Sequence, residues 1–238
     1  MNSIIDSVTA SRRLKIFMTY YVMIYVAASL LLNLLKNSLS FFAAGVGATV
    51  FALISLLVKA PIIYGMVRGI VTKNYKIAAA LGAFGEVKNY GAYALYALVN
   101  IVYEILYTLV DKLASGEGAL VAIGGVLSIA FVVLRLLLNF YLVKLYFDSI
   151  DIGGGLAIGK SIKGCVRVIG KYPLKVLGAE LLMLASNAVA FLISSTFISV
   201  LPDNAAVNLV IVSLNDILYG FLILVWPVYY LYYRYLFE

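Results

Sequence analysis

Hydrophobic residues in this 238-residue chain gather in six long blocks, at about residues 16–35, 41–64, 90–110, 119–146, 174–200 and 206–232. A helix needs roughly 20 apolar residues to cross a hydrocarbon layer about 30 Å thick, and every block reaches that length. The pattern predicts an all-α fold, a polytopic transmembrane helical bundle of six helices. The connections between blocks are short, so residues 1–238 read as a single transmembrane domain. Arg12, Arg13 and Lys15 precede the first block as charges precede a signal peptide. That apolar run is too long for a signal peptide and no small-residue cleavage site follows, so a retained first helix is predicted.

Polar positions inside the blocks are sparse and periodic. Asn100, Glu104, Tyr107 and Asp111 form one helical stripe, and Ser128, Arg135 and Asn139 another. Glu180, Asn187 and Ser194 repeat every seven residues, as do Asn208 and Asn215, which keeps each set on one face. An ionisable group at membrane depth costs roughly 2.5–3.5 kcal/mol on insertion scales, so each one requires a partner or a purpose. The intramembrane polar candidates are therefore Glu104, Arg135, Asn139, Glu180, Asn187 and Asp216. Counting rise per residue puts Arg135 and Asp216 near mid-membrane, and an ion pair of Arg135 with Asp216 or Glu180 is expected. Such stripes serve as interhelical glue or line a solute path. Glu104, Glu180 and Asp216 fall on three different spans at different depths, a spacing that matches no catalytic arrangement.

Two connections carry their own helical pattern. Over 155–171, Lys160, Lys163, Arg167 and Lys171 recur at three- and four-residue steps, with Leu156, Ile158, Ile162, Val166 and Ile169 occupying another side. A basic amphipathic helix of this kind lies in the membrane interface, so these four cations are the lipid-headgroup candidates. Gly153, Gly154 and Gly155 supply the bend before it. Residues 73–88 are a weaker version, with Ile77, Leu81 and Phe84 on one side. Residues 154–161 also satisfy the phosphate-loop spacing G-x-x-x-x-G-K-[ST]. That motif works between a buried strand and a helix, and here an apolar span precedes it, so nucleotide binding is not predicted.

Composition narrows the chemistry. Apolar residues make up 64 % of the chain and charged ones 12 %, against about 45–50 % and 25 % in soluble domains. There is no histidine and one cysteine, Cys165, so no disulfide can form within the chain. Histidine-ligated haem or zinc and histidine-based acid–base or Ser–His catalysis lack their groups. No catalytic residue, cofactor or metal site is predicted. Cations concentrate at the N-terminal segment (Arg12, Arg13, Lys15), after the second block (Arg68, Lys73, Lys76, Lys88), after the fourth (Lys160 to Lys175) and at Arg234. The opposite connections hold only Lys36 and Lys112, beside Asp111, Glu117 and Asp203. The asymmetry predicts a multi-pass protein of the cell membrane with both termini cytoplasmic. The net charge of +7 then reads as orientation plus attraction to anionic lipid headgroups, without nucleic acid as a partner. Tyr229, Tyr230, Tyr232, Tyr233 and Tyr235 are expected to form an interfacial aromatic belt.

Leu57-Val58-Lys59 recurs as Leu142-Val143-Lys144, each ahead of an amphipathic connection, which suggests two similar helical hairpins. Ala60-Pro61 with Gly65 at the close of the second block, Ser161 and Gly164 in the basic connection, and Trp226-Pro227 with Tyr229 complete a diffuse pattern over about residues 55–235. In these features the chain resembles an uncharacterised family of six-helix prokaryotic integral membrane proteins, related to the membrane domain of glycerophosphodiester phosphodiesterases. The resemblance implies a helical membrane protein and carries over no catalytic residue. The function expected is that of a non-catalytic integral membrane protein, a structural or accessory component associating with other membrane subunits or with itself. The alternative is a small transporter or channel with a hydrated path past Asn139, Asn187 and Asp216.

Overall fold

The structure is a computed structural model that describes residues 11–39, 45–116, 119–151, 158–200 and 225–238. Among these residues all regular structure is helical. Five long helices, α1 (Arg12–Ser38), α2 (Gly45–Val71), α4 (Val87–Ala114), α5 (Ala119–Asp151) and α7 (Pro173–Val200), account for most of it. Three short ones complete the set: α3 (Ile77–Leu81), which runs into a 3₁₀ turn over Gly82–Gly85, α6 (Ile158–Lys171) and α8 (Trp226–Phe237).

Each predicted block that is described is a helix, though the ends move. The first begins at Arg12 because the Ser11 hydroxyl accepts the Leu14 backbone N–H at 3.2 Å, a side-chain cap that closes the first turn. The second passes through Pro61 and ends at Val71, seven residues after the expected end at 64. Proline removes one backbone hydrogen bond there. Ile62, Tyr64, Met66, Val67 and Ile70 are buried beyond it, so tertiary packing carries the helix past the break. The expected sixth block, 206–232, lies outside the described residues up to 224, and its described part continues to Phe237.

Four of these helices contain a stretch long and apolar enough to cross a membrane: Arg12–Lys36, Gly45–Val71, Val121–Asp151 and Pro173–Ala190. The most apolar stretch, on α5, is only 6 % buried, against 28 % for the others. Val126 and Ile129 on it are each 69 % exposed. Apolarity directed outward is what a lipid-facing helix requires and what a soluble bundle avoids. Helix α4 has 28 residues, enough to cross, but carries Glu104, Asp111 and Lys112 in its C-terminal half.

The packed core lies toward one end of the bundle. Phe17 and Tyr21 of α1, Tyr64 and Val67 of α2, Phe140, Val143, Tyr146 and Phe147 of α5, Val168 of α6 and Tyr233 of α8 are all nearly inaccessible. Tilted and edge-to-face aromatic pairs knit them, among them Phe140–Tyr233 at 4.8 Å and Tyr64–Tyr146 at 5.9 Å between centroids. This is also the end that carries the basic connections, and α3 and α6 both pack there, on α2 and α5. Toward the other end α4 and α5 approach closely. A Cβ on Gly124 would lie 2.8 Å from the Leu113 carbonyl carbon, so only glycine fits the α4–α5 contact.

Candidate functional site

At the basic end, one buried carboxylate ties two helices. Asp148, near the C-terminus of α5, is 1 % exposed. Its Oδ1 accepts a hydrogen bond from Lys144 Nζ, one turn back on α5, at 2.5 Å. Its Oδ2 accepts one from the fully buried Ser161 hydroxyl on α6 at 2.7 Å. Lys160 Nζ lies 3.7 Å from Oδ1. Both oxygens are thus engaged, as burial of a carboxylate requires. The Lys144 ammonium also sits 4.9 Å over the Phe237 ring of α8, a cation–π contact. Gly164 makes room for Lys144, because a Cβ there would strike the lysine methylenes.

This anchoring orients α6 into three faces, at about 100° per residue. Ser161, Cys165 and Val168 are buried in the packing. Ile162 and Val166 face outward, 50 % and 65 % exposed. Lys160, Lys163, Arg167 and Lys171 occupy the remaining side. Part of the predicted apolar face therefore stays outside the protein core, next to the cations. Leu156 and the glycine bend lie outside the described residues. Burial pushes the Cys165 thiol up to about 12, with Lys144 opposing and Asp148 adding to the shift. Between α5, α6 and α8 a cavity of about 590 Å³ opens, lined by Lys144, Lys160, Lys163, Gly164, Arg167 and Phe237 among others. A second cavity of about 410 Å³ adjoins it at Arg167, with Lys171, Tyr172 and Lys175 on its wall.

The other basic connection has a comparable anchor built from different residues. Arg68 of α2 pairs with Glu86, whose Oε2 accepts a hydrogen bond from the buried Asn89 amide at 2.8 Å. The side of the 73–88 segment that packs inward is Ala83; Leu81 and Phe84, expected on one apolar face with Ile77, are both 38 % exposed.

The intramembrane candidates fall into separate places. Arg135 on α5 turns toward α4, where its guanidinium donates to Asn100 Oδ1 at 2.5 Å and lies 3.6 Å from Glu104. It also covers the Tyr103 ring at 5.4 Å, and the Tyr103 hydroxyl donates to the Phe131 carbonyl at 2.8 Å. Glu180 on α7 instead accepts from the Tyr229 and Tyr233 hydroxyls of α8 at 2.6 and 2.8 Å. The expected Arg135–Glu180 pair is thus corrected: the two residues look toward different helices, and each has nearer partners. Asp216, the other expected partner, lies outside the described residues. Asn139 is half-buried on α5. Asn187 is exposed and its amide donates to the Met183 carbonyl of its own helix at 2.8 Å. The aromatic belt is corrected too. Tyr229, Tyr230 and Tyr233 are buried, and of the five only Tyr235 is strongly exposed, at 64 %.

Sequence reading missed Asp148 and assigned Lys144 only to a repeat. The signal was a single acid in the apolar run Leu145–Ile150, one helical turn after a lysine. Among the described residues no three Cys, Asp or Glu side chains gather as metal ligands. Of the positions that carry the family resemblance, Ala60, Pro61 and Gly65 are buried in α2, Ser161 bonds Asp148, and Gly164 borders Lys144. Compared with protein-family models, curated proteins and solved structures, the chain matches none.

Proposed function

We propose that this is a six-span, non-catalytic integral membrane protein of the cell membrane, with the basic end and both termini on the cytoplasmic side. It serves as a structural or accessory component of a membrane assembly and holds anionic lipid headgroups along α6. The observation that carries this reading is the setting of α6. It is fixed to α5 through Asp148 and Ser161, and turns Ile162 and Val166 outward beside Lys163 and Arg167. An apolar stripe flanked by cations suits the boundary between acyl chains and headgroups. Length supports two further spans beyond the four: α4, and the apolar block at 206–232. Purification in a mild detergent, followed by crosslinking and mass spectrometry, tests the assembly role. A recurrent stoichiometric complex is expected. A solitary monomer that moves solute in proteoliposomes overturns the reading.

One observation favours transport as a second reading. Thr49 of α2, Asn100, Glu104 and Thr108 of α4 and Arg135 of α5 line a cavity of about 390 Å³ within the apolar helices. Solute flux that disappears in Arg135→Leu while the fold persists would select it.

A further inference from the structure

We propose that the cavity between α5, α6 and α8 is a discrete site for the phosphate group of an anionic lipid, an inference that rests on the membrane-facing reading of α6. Diffuse attraction needs only surface cations. Here the cations converge from two helices. Lys144, 13 % exposed, is held by Asp148 and Phe237, and Lys160, Lys163 and Arg167 line the same cavity. Four cations line the cavity, and the one carboxylate that Lys144 and Lys160 reach, Asp148, already serves Lys144 and Ser161. The surplus positive charge in a cavity of about 590 Å³ calls for an anion about the size of a headgroup. Gly164 keeps the floor open, since any side chain there displaces Lys144.

Phosphate could also arrive on a soluble ester, and residues 154–161 match the spacing of a nucleotide loop. The described part of that match argues otherwise. The Ser161 hydroxyl, which would hold magnesium in a nucleotide site, is buried and donates to Asp148, and α6 packs on α5 and α7. The exposed Ile162 and Val166, on the face next to Lys163, offer an acyl chain a surface that a nucleotide does not use.

The test is binding to the full chain in phosphatidylcholine nanodiscs, titrated with short-chain phosphatidic acid, inorganic phosphate or ATP. Phosphatidic acid is expected to saturate at one per chain. Lys160→Gln with Lys163→Gln should weaken it by at least about tenfold, since each removes a charge-assisted contact. Lys73→Gln with Lys76→Gln, an equal loss of charge on the other basic connection, should leave it within about twofold. Gly164→Val, which fills the floor and removes no charge, should also weaken it. The K160Q/K163Q pair loses only the exposed Lys160 contact, while Lys144 and Ser161 still hold Asp148. It should therefore melt close to the unsubstituted chain and so show that folding is intact. Equal losses from both lysine pairs overturn the discrete site and leave diffuse lipid attraction standing. Absence of any dependence on phosphatidic acid overturns both. ATP or inorganic phosphate binding as tightly as the lipid overturns the lipid as the source of the phosphate.

Discussion

A carboxylate removed from solvent is stable only if its charge is answered, and Asp148 is answered three ways, by Lys144, Ser161 and Lys160. Asp148→Ala leaves Lys144 largely buried without its counter-charge, so a loss of about 3–5 kcal/mol is expected from thermal or denaturant unfolding in detergent. The half-exposed pair of Arg234 with Asp151 gives the contrast: Asp151→Ala should cost less than about 1 kcal/mol. Cys165 reports on the same packing. Its thiol is raised by burial to about 12, so the folded chain holds it neutral and slow to alkylate from pH 7 to 9, while the chain in SDS reacts readily. Because the folded value lies above the unfolded one, this contribution to stability is complete below about pH 9 and is lost as pH rises toward 12. It is the only thiol in the chain, so labelling with iodoacetamide reads it directly.

At the scale of helices, existence was legible and partnership was not. Apolar length marks a span without reference to anything else in the chain, which is why the helical blocks up to residue 200 appear where expected. Partnership depends on which way a side chain turns once helices pack. The expected partner of Arg135 was Asp216, level with it by depth, or Glu180, yet Arg135 meets α4 and Glu180 meets α8. Tyrosines near a terminus look like an interfacial belt, and two of these instead satisfy Glu180 because α8 lies against α7. The corrected pairing makes an expectation of its own. Arg135→Leu should lower the melting temperature, adding Glu104→Leu should restore part of the loss, and adding Glu180→Leu should not. Restoration by Glu180→Leu alone would reinstate the pairing with Glu180.

Across the whole molecule, buried packing and exposed apolar helix are concentrated toward opposite ends. The aromatic core, both anchored connections and most cations share one end, while the apolar surface of α5 extends away from it. Charge asymmetry was readable from the sequence because it depends only on counting. The cavity was not, because it needs Lys144 to cross from α5 to α6 and Phe237 to close it from α8. With cysteines introduced into a Cys165→Ser background, Ser115→Cys should react with an impermeant maleimide in intact cells, and Lys171→Cys only in inverted vesicles. The environment of α6 decides most directly whether it lies in the membrane interface. Spin labels at Ile162, Lys163, Val166 and Arg167, placed singly in that background and reconstituted in bilayers, can be read by their collisions with oxygen and with a polar nickel complex. An interfacial α6 gives oxygen-accessible labels at 162 and 166 and nickel-accessible labels at 163 and 167; nickel access at all four would place α6 in water and contradict the lipid-facing assignment.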